Sequence, residues 1–428
     1  MSTTTSVATA PNTRVDTAVP ISWKFPIVYC LTLALTVVMA LKSSGIAEYV
    51  WYGLRPSKNH PNLKMYAAPT VWALVAIIAL LTAYSFYRAV KRQKPSLAVG
   101  IAILGCFLLA FMTYSGGGSG RFITIAFLFA STLTSAQPLI FGSMAGVVCE
   151  RVGVVNIAIE GQLLTGAFAG VTVASATGNP WLGLVAAPIA GSLIGALLAF
   201  FSVRYAVDQI IVGVVLNVLC MGLTSFFLGT LVKQNPHWNS IKFALPQWEI
   251  PVLSKIPFIG PVFFSHTILM YIMYVAVFLL TFMLFRSRWG LRMRACGEHP
   301  KAADTVGINV NRTRFLNTMF GGAIAGLGGA AFTIASASVF TEGISAGKGY
   351  IALAAMILGK WHPIGALGAS LMFGVATAIV EWLPNVSANA IDPSLLAMVP
   401  YVITILAVAG FVGNSRPPAA ENIPYIKS

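Results

Sequence analysis

Long apolar runs separated by short polar segments make up most of the chain. Many of these runs are near the ~20 apolar residues that a helix needs to cross a bilayer. They predict spans at residues 26–41, 69–87, 96–114, 122–147, 181–203, 209–231, 266–285, 315–337, 364–383 and 395–412. Pro138 is expected to break the fourth of these spans. The pattern therefore predicts an all-α, polytopic transmembrane helical bundle of about 10–12 spans with short or broken helices.

Two apolar segments, after Gly161 and after Gly349, are interrupted by glycine and precede an X-Pro turn and a Gly-rich span. From the count of predicted spans, the two segments enter the membrane in opposite directions. Short segments in corresponding positions are typical of inverted-repeat transporters, whose sites lie where the segments meet near the midplane. A separate run, GGAIAGLGGA (residues 321–330), predicts a small-residue face for close helix packing.

Composition agrees with a membrane protein, because 57% of the residues are hydrophobic and only 9% are charged. The net charge of +15 comes mainly from loops and termini. Membrane topology and contact with lipid headgroups account for basic residues there better than nucleic-acid binding does. The five cysteines show neither metal spacing nor a disulfide framework. Gly347-Lys348 lacks the Ser or Thr that a phosphate-binding loop requires after its Lys. We therefore expect neither a metal nor a nucleotide bound by this chain.

A strongly basic segment, residues 286–314, interrupts the apolar sequence. Such a loop is expected in the cytoplasm. Within it, Pro300 suits the first position of a short helix and Gly307 suits a left-handed stop. Ala302 and Ala303 would let another surface approach closely. The segment is either a docking helix or an ordinary charged loop that fixes topology.

Polar side chains also interrupt the apolar residues 149–170, among them Glu160. A carboxylate at membrane depth is costly, so Glu160 should face protein or a water-filled path. The alternative is that it lies at the interface and caps a helix end.

Three motifs resemble the permease subunits of bacterial ABC importers. They are GVVNIAIEG (residues 153–161), RACGEHPKAADTVGINVNRTR (residues 294–314) and GYIALAAMILGKWHPIGALGA (residues 349–369). The chain is most similar to the simple-sugar and nucleoside branch, which is related to the ribose and branched-chain amino-acid permeases. The resemblance covers roughly residues 125–412 and leaves the start of the chain outside it.

The resemblance implies a permease that is not an enzyme and that forms a path for a nucleoside or simple sugar in the bacterial plasma (inner) membrane. Its implied partners are separate ATPase subunits that hold ATP-Mg, an extracytoplasmic substrate-binding protein, and a second permease subunit, either a paralogue or an identical copy. The implied organisation is a disordered cytoplasmic tail (1–24), an N-terminal extension with extra spans (25–115), a permease core (116–412) and a cytoplasmic tail (413–428).

By position in the matching motifs, the expected ATPase-coupling residues are Arg294, Glu298, Pro300, Lys301, Ala302, Asp304 and Gly307. The expected substrate-path residues are Asn156, Glu160, Gln162 and Asn217. The main alternative is a self-contained ion-coupled secondary transporter, which would need intramembrane acids or histidines. Apart from Glu160, the acids lie near span ends or in loops, which argues against it. An intramembrane enzyme would need grouped catalytic side chains, and the histidines are scattered.

Overall fold

The computed structural model describes residues 23–50, 53–54, 62–93, 96–241, 245–386, 398, 401 and 416–426. Residues 1–22 of the expected tail (1–24) and nearly all of the expected span 395–412 lie outside the described residues. The chain divides into two compact units. One holds residues 1–49, 63–123 and 386–388, and the other holds residues 50–62, 124–385 and 389–428.

The first unit contains three apolar helices, each long enough to cross a bilayer: α1 (Lys24–Lys42), α2 (Ala67–Val90) and α3 (Leu97–Gly116). Three short strands, β1 (Ile46–Val50), β2 (Leu63–Tyr66) and β3 (Phe122–Thr124), form a sheet in the order β2-β1-β3. β1 and β2 are antiparallel, with Ala47 opposite Met65. The helices pack through small and branched side chains such as Ala40, Val71 and Ala110.

The second unit is built from eleven described helices. They are α4 (Ile125–Arg151), α5 (Ile159–Thr177), α6 (Pro180–Ala199), α7 (Gln209–Phe227), α8 (Ile259–Phe263), α9 (Ile268–Arg286), α10 (Arg288–Glu298), α11 (Pro300–Thr305), α12 (Val310–Phe332), α13 (Lys348–Leu358) and α14 (Pro363–Val386). π-helical turns follow α6, α7 and α12. In the loop between α7 and α9, β4 (Gln247–Glu249) pairs antiparallel with β5 (Ser265–Thr267).

Among the described residues, nine helices are long and apolar enough to cross a membrane, which confirms the prediction of a polytopic helical protein. The prediction omitted the five short strands, which all lie in connections between helices. The expected break at Pro138 was wrong, because α4 continues through it. A proline is tolerated inside a membrane helix where neighbouring structure accommodates the lost hydrogen bond, and Pro138 is buried in packed structure.

The centre of the second unit is a set of helices whose backbones touch at glycines. A Cβ atom added to Gly166 of α5 would lie 2.5 Å from the carbonyl oxygen of Gly326 in α12. One added to Gly195 of α6 would lie 2.7 Å from the carbonyl oxygen of Thr318 in α12. The predicted small-residue face of α12 is thus confirmed, because α5 and α6 approach closer than side chains would permit.

Candidate translocation site and coupling surface

A helix break inside the membrane domain is held by polar side chains. α4 ends at Arg151 and α5 begins at Ile159, with the non-helical residues 152–158 between them. The backbone N–H of Val155 donates to Gln209 Oε1 at 2.7 Å, and Asn217 Nδ2 donates to the carbonyl oxygen of Ile157 at 2.9 Å. Side chains of α7 therefore satisfy backbone groups that a continuous helix would have satisfied itself.

Asn156 and Gln162, both expected on the substrate path, are fully buried and pair with each other. Asn156 Nδ2 donates to Gln162 Oε1 at 3.0 Å, and Gln162 Nε2 donates to Asn156 Oδ1 at 3.3 Å. The pair joins the non-helical segment to the first turn of α5. The Asn156–Gln162 pair therefore supports the helix break.

Glu160 stands in the first turn of α5 and binds the start of α13. Its carboxylate accepts hydrogen bonds from the Ser345 hydroxyl at 2.6 Å, from the Gly347 N–H at 2.8 Å and from the Gly349 N–H at 2.6 Å. A carboxylate at a helix N-terminus is favoured by the unpaired N–H groups and by the helix dipole. Glu160 thus caps a helix, but the helix is α13 and not its own.

The close approach of α5 and α13 depends on Gly349. A Cβ atom there would lie 2.5 Å from the Cα atom of Glu160, closer than real Cβ contacts come. The two glycine-interrupted segments of the sequence therefore meet at their N-terminal ends, as the site prediction required.

Asn217 links this contact to α7. Its Oδ1 accepts from the Gly161 N–H at 2.8 Å, and its Nδ2 donates to the Tyr350 hydroxyl at 3.1 Å. Nearby, the exposed Glu342 accepts from the Ser225 hydroxyl at 2.8 Å. We call Glu160, Asn217, Ser345, Gly349 and Tyr350 the Glu160 cluster. The sequence analysis missed Ser345 and Tyr350, although they flank the Gly347-Lys348 pair that it had examined.

The opposite end of α13 lies beside the basic loop. Arg151 Nε donates to the carbonyl oxygen of Trp361 at 2.8 Å, and the ring of His362 stacks on Phe285 with 4.7 Å between centroids. The guanidinium of Arg294 lies 5.4 Å from the centroid of that Phe285 ring. Because Arg294 belongs to the cytoplasmic basic loop, this end of α13 is the cytoplasmic one.

The length of α13 then gives the depth of the Glu160 cluster. Its 11 residues extend about 16 Å along the helix axis. This is about half of the ~30 Å hydrocarbon core, so a helix that starts at the cytoplasmic boundary and runs along the membrane normal would bring the cluster near the middle of the membrane.

The short cytoplasmic helix has the predicted ends. α11 begins at Pro300, and Gly307 follows it with a left-handed φ of +83°. Ala302 is exposed, but Ala303 is only 2% exposed and packs into the core, so the expectation that both alanines face a partner was wrong for Ala303. Adjacent residues on a helix point in different directions, so Ala302 faces outward while Ala303 faces the protein interior.

The other expected coupling residues are placed around this helix. Lys301, Glu298 and Gly307 are exposed, while Arg294, Pro300 and Asp304 are half-buried. Ala302, Lys301, Glu298 and Gly307 are thus the expected coupling residues most accessible to a partner. Within the part of the chain that the structure describes, no group of three His, Cys, Asp or Glu side chains could hold a metal ion.

Comparison with known proteins defines the class. The family of branched-chain amino acid transport system permease components matches residues 128–408, and the chain belongs to this family. It is therefore a multi-pass plasma-membrane permease subunit of an ABC importer, and ATP hydrolysis belongs to a separate subunit. Membership also implies an ATPase and a substrate-binding protein as partners in general. These findings confirm the predicted class.

Three relatives illustrate the similarity. The guanosine ABC transporter permease protein NupQ of Bacillus subtilis is 39% identical over 319 residues, which cover 71% of this chain and 97% of NupQ. The nucleoside ABC transporter permease protein NupC of Lactococcus lactis is 39% identical over 315 residues, covering 71% and 98%. A putative glucose ABC transporter permease protein of Haloferax volcanii is 34% identical over 271 residues, covering 62% and 80%. No solved structure matches this chain.

Proposed function

We propose that this chain forms the translocation path for a nucleoside. The observation that carries the proposal is the similarity over nearly the full length of two relatives named for guanosine or nucleoside transport. The similarity to a putative glucose permease supports a simple sugar as the second candidate. Sugar hydroxyls and a base would both need polar partners in a mostly apolar path, and an aromatic face can stack on a base.

In this proposal the Glu160 cluster lies on the path. The half-exposed Tyr350 and the exposed Glu342 offer an aromatic face and a carboxylate to the substrate. Asn217 is buried and its amide is already hydrogen-bonded, so it supports the path by holding Tyr350. Glu160 acts as support, because its carboxylate already accepts three hydrogen bonds from the start of α13. Asn156 and Gln162 support the path by bracing the helix break.

The proposed coupling to ATP runs through α11. Ala302 offers a small exposed surface to a groove in the ATPase, flanked by Lys301 and Glu298. ATP-Mg is held by the ATPase, so this chain binds no cofactor. The permease works beside a second permease subunit, a paralogue or a second copy. Residues 25–115 are an added group of spans before the permease core.

The coupling proposal is tested with the complex purified from membranes. Ala302→Arg is expected to abolish copurification of the ATPase by steric and charge conflict, while Ala302→Ser keeps a small side chain and retains it. Mass spectrometry of the wild-type complex identifies whether one or two permease chains are present. Wild-type protein that copurifies with no ATPase, yet takes up substrate along an ion gradient, would establish the secondary-transporter alternative instead.

The substrate proposal is tested by competition. Uptake of radiolabelled guanosine into cells that express the importer is measured with excess unlabelled nucleoside, free base, ribose or glucose. Competition by nucleosides alone supports the proposal. No uptake of guanosine, together with uptake of radiolabelled glucose, moves the assignment to the sugar.

A further inference from the structure

The C-terminal segment, residues 416–426, is folded back onto the coupling elements. The Ala420 N–H donates to the carbonyl oxygen of Gly297 at 2.9 Å, and the Ala419 N–H donates to Glu298 Oε2 at 3.3 Å. Pro418 and Ala420 are buried. Although the sequence analysis described this region only as a polar tail, its described part is a fixed piece of the cytoplasmic surface.

The buried side chain of Arg314 holds the C-terminal segment in place. Arg314, in the second turn of α12, is 1% exposed. Its Nη1 donates to the carbonyl oxygen of Ile423 at 2.8 Å, and its Nη2 donates to that of Ala420 at 3.3 Å and to that of Cys296 at 3.4 Å. One side chain therefore ties α12, the end of α10 and the C-terminal segment together. Charge-assisted bonds to buried carbonyl groups are among the stronger hydrogen bonds in proteins.

The segment also reaches α11 itself. Burial and the side chain of Asp304, near the end of α11, raise the pKa of Tyr425, so the two side chains are neighbours. Val306 follows α11 directly, and Ile426 follows Tyr425. The segment therefore contacts both the end of α10 and the proposed coupling helix.

Three apolar side chains of this region are strongly exposed on the cytoplasmic side. Val306 is 75% exposed, Ile426 is 77% exposed and Ile423 is 55% exposed. We call them the C-terminal patch. Most exposed apolar residues of this chain lie on long membrane helices, where lipid covers them, but these three belong to short water-side segments. Exposed apolar groups that share a surface on the water side are typical of an interaction site.

We propose that the C-terminal patch is a second contact for the ATPase, beside α11. This inference rests on the proposed coupling function of α11. The ATPase is the partner chosen because the C-terminal segment is hydrogen-bonded to Gly297 and Glu298, just before α11, and because the substrate-binding protein works on the opposite side of the membrane. In a bound complex the patch is covered, which removes its three apolar side chains from water.

The inference is tested by titrating the purified ATPase onto the permease complex. Ile426→Asp is expected to weaken ATPase binding about tenfold, as truncation or charging of a central apolar contact commonly does. Ile426→Leu, which keeps the patch apolar, should bind as the wild type does. Because the Ile426 side chain is mostly exposed, neither change should release the segment, and unchanged hydrogen exchange at the Ala420 amide verifies that.

Ala302→Arg, measured in parallel, separates the two proposals. If Ala302→Arg abolishes binding while Ile426→Asp leaves it unchanged, the patch is not an ATPase contact and the inference is overturned, although α11 keeps its proposed role. If Ile426→Asp separates the two permease subunits and spares ATPase binding, the patch belongs to the permease pair, which also overturns the inference. If neither variant affects ATPase binding, the proposed function of α11 fails as well.

Discussion

The two ends of α13 are each held by a glutamate, but in different ways. At the mid-membrane end, Glu160 accepts three hydrogen bonds from the segment that begins the helix. At the cytoplasmic end, Glu150 accepts one from Trp361 Nε1 at 2.5 Å. There Lys360 and Trp361 have φ values of +57° and +54°, a left-handed conformation that costs about 1–2 kcal/mol in a residue other than glycine.

This difference indicates which end can move. At the Glu160 end every one of these donors has an acceptor, so we expect this end of α13 to stay in place and to serve as the fixed reference for the path. The Trp361 end combines backbone strain with bonds to α4. α4 in turn lies beside the C-terminal segment, because Glu150 is close enough to Glu421 to influence its pKa. We expect movement driven by the ATPase to enter α13 at its cytoplasmic end.

The largest expected effect is that of Glu160→Gln. The new amide must direct an N–H donor at the N–H of Gly347 or of Gly349, leaving a donor without an acceptor. Such a group costs about 1–3 kcal/mol. We expect a lower melting temperature and roughly tenfold slower uptake, since ~1.4 kcal/mol corresponds to a factor of ten. Both are measured on the purified complex in liposomes.

Glu342→Gln is the matched control. Glu342 is exposed and accepts a single hydrogen bond from Ser225. The free energy of unfolding of Glu342→Gln should therefore lie within about 0.5 kcal/mol of the wild-type value. If the two variants were equally stable, the Glu160 end would not be the fixed reference.

A smaller effect is expected from Trp361→Phe, which keeps a ring and removes only the Nε1–H donor to Glu150. The free energy of unfolding should fall by about 1 kcal/mol, which is the typical net contribution of one hydrogen bond. The informative quantity is the number of substrate molecules imported per ATP hydrolysed. We expect this ratio to drop severalfold while the ATPase stays bound. Trp181→Phe, at an exposed tryptophan of α6, should leave the ratio unchanged. An unchanged ratio in both variants would remove the cytoplasmic end of α13 from the coupling route.

The smallest expected effect is a pH dependence at the C-terminal segment. Burial raises the pKa of Glu421. Glu150 and Glu421 are neighbouring carboxyls, and two like charges at close range favour keeping a proton on one of them. The packed segment therefore holds a proton that the released segment would lose. Packing is favoured at low pH and weakened as the pH rises from the ordinary range of a glutamate through the raised pKa.

Hydrogen exchange at the Ala420 amide reports this release. After correction for intrinsic exchange, opening should increase as the pH rises. The Ile308 amide, which is bonded to the Ala303 carbonyl oxygen, serves as an internal reference. Glu421→Gln should remove the dependence, and a dependence that persists in this variant would assign it to another group.

The sequence predicted the class, most of the spans and both ends of α11, because hydropathy, loop charge and the Pro300 and Gly307 positions act locally. It did not predict what Glu160 binds, since its partners lie 185 to 189 residues further along the chain and meet it only through helix packing. For the same reason, no local feature distinguished the exposed Ala302 from the buried Ala303. The continuity of α4 at Pro138 likewise depends on the surrounding helices.

The central claim is that this chain moves a nucleoside with energy from a separate ATPase. The most direct measurement is guanosine uptake into liposomes that contain the purified permease complex, its ATPase and its substrate-binding protein. We predict uptake that requires ATP on the ATPase side and that continues when proton and sodium gradients are abolished. Uptake that proceeds without ATP and stops when those gradients collapse would contradict the account.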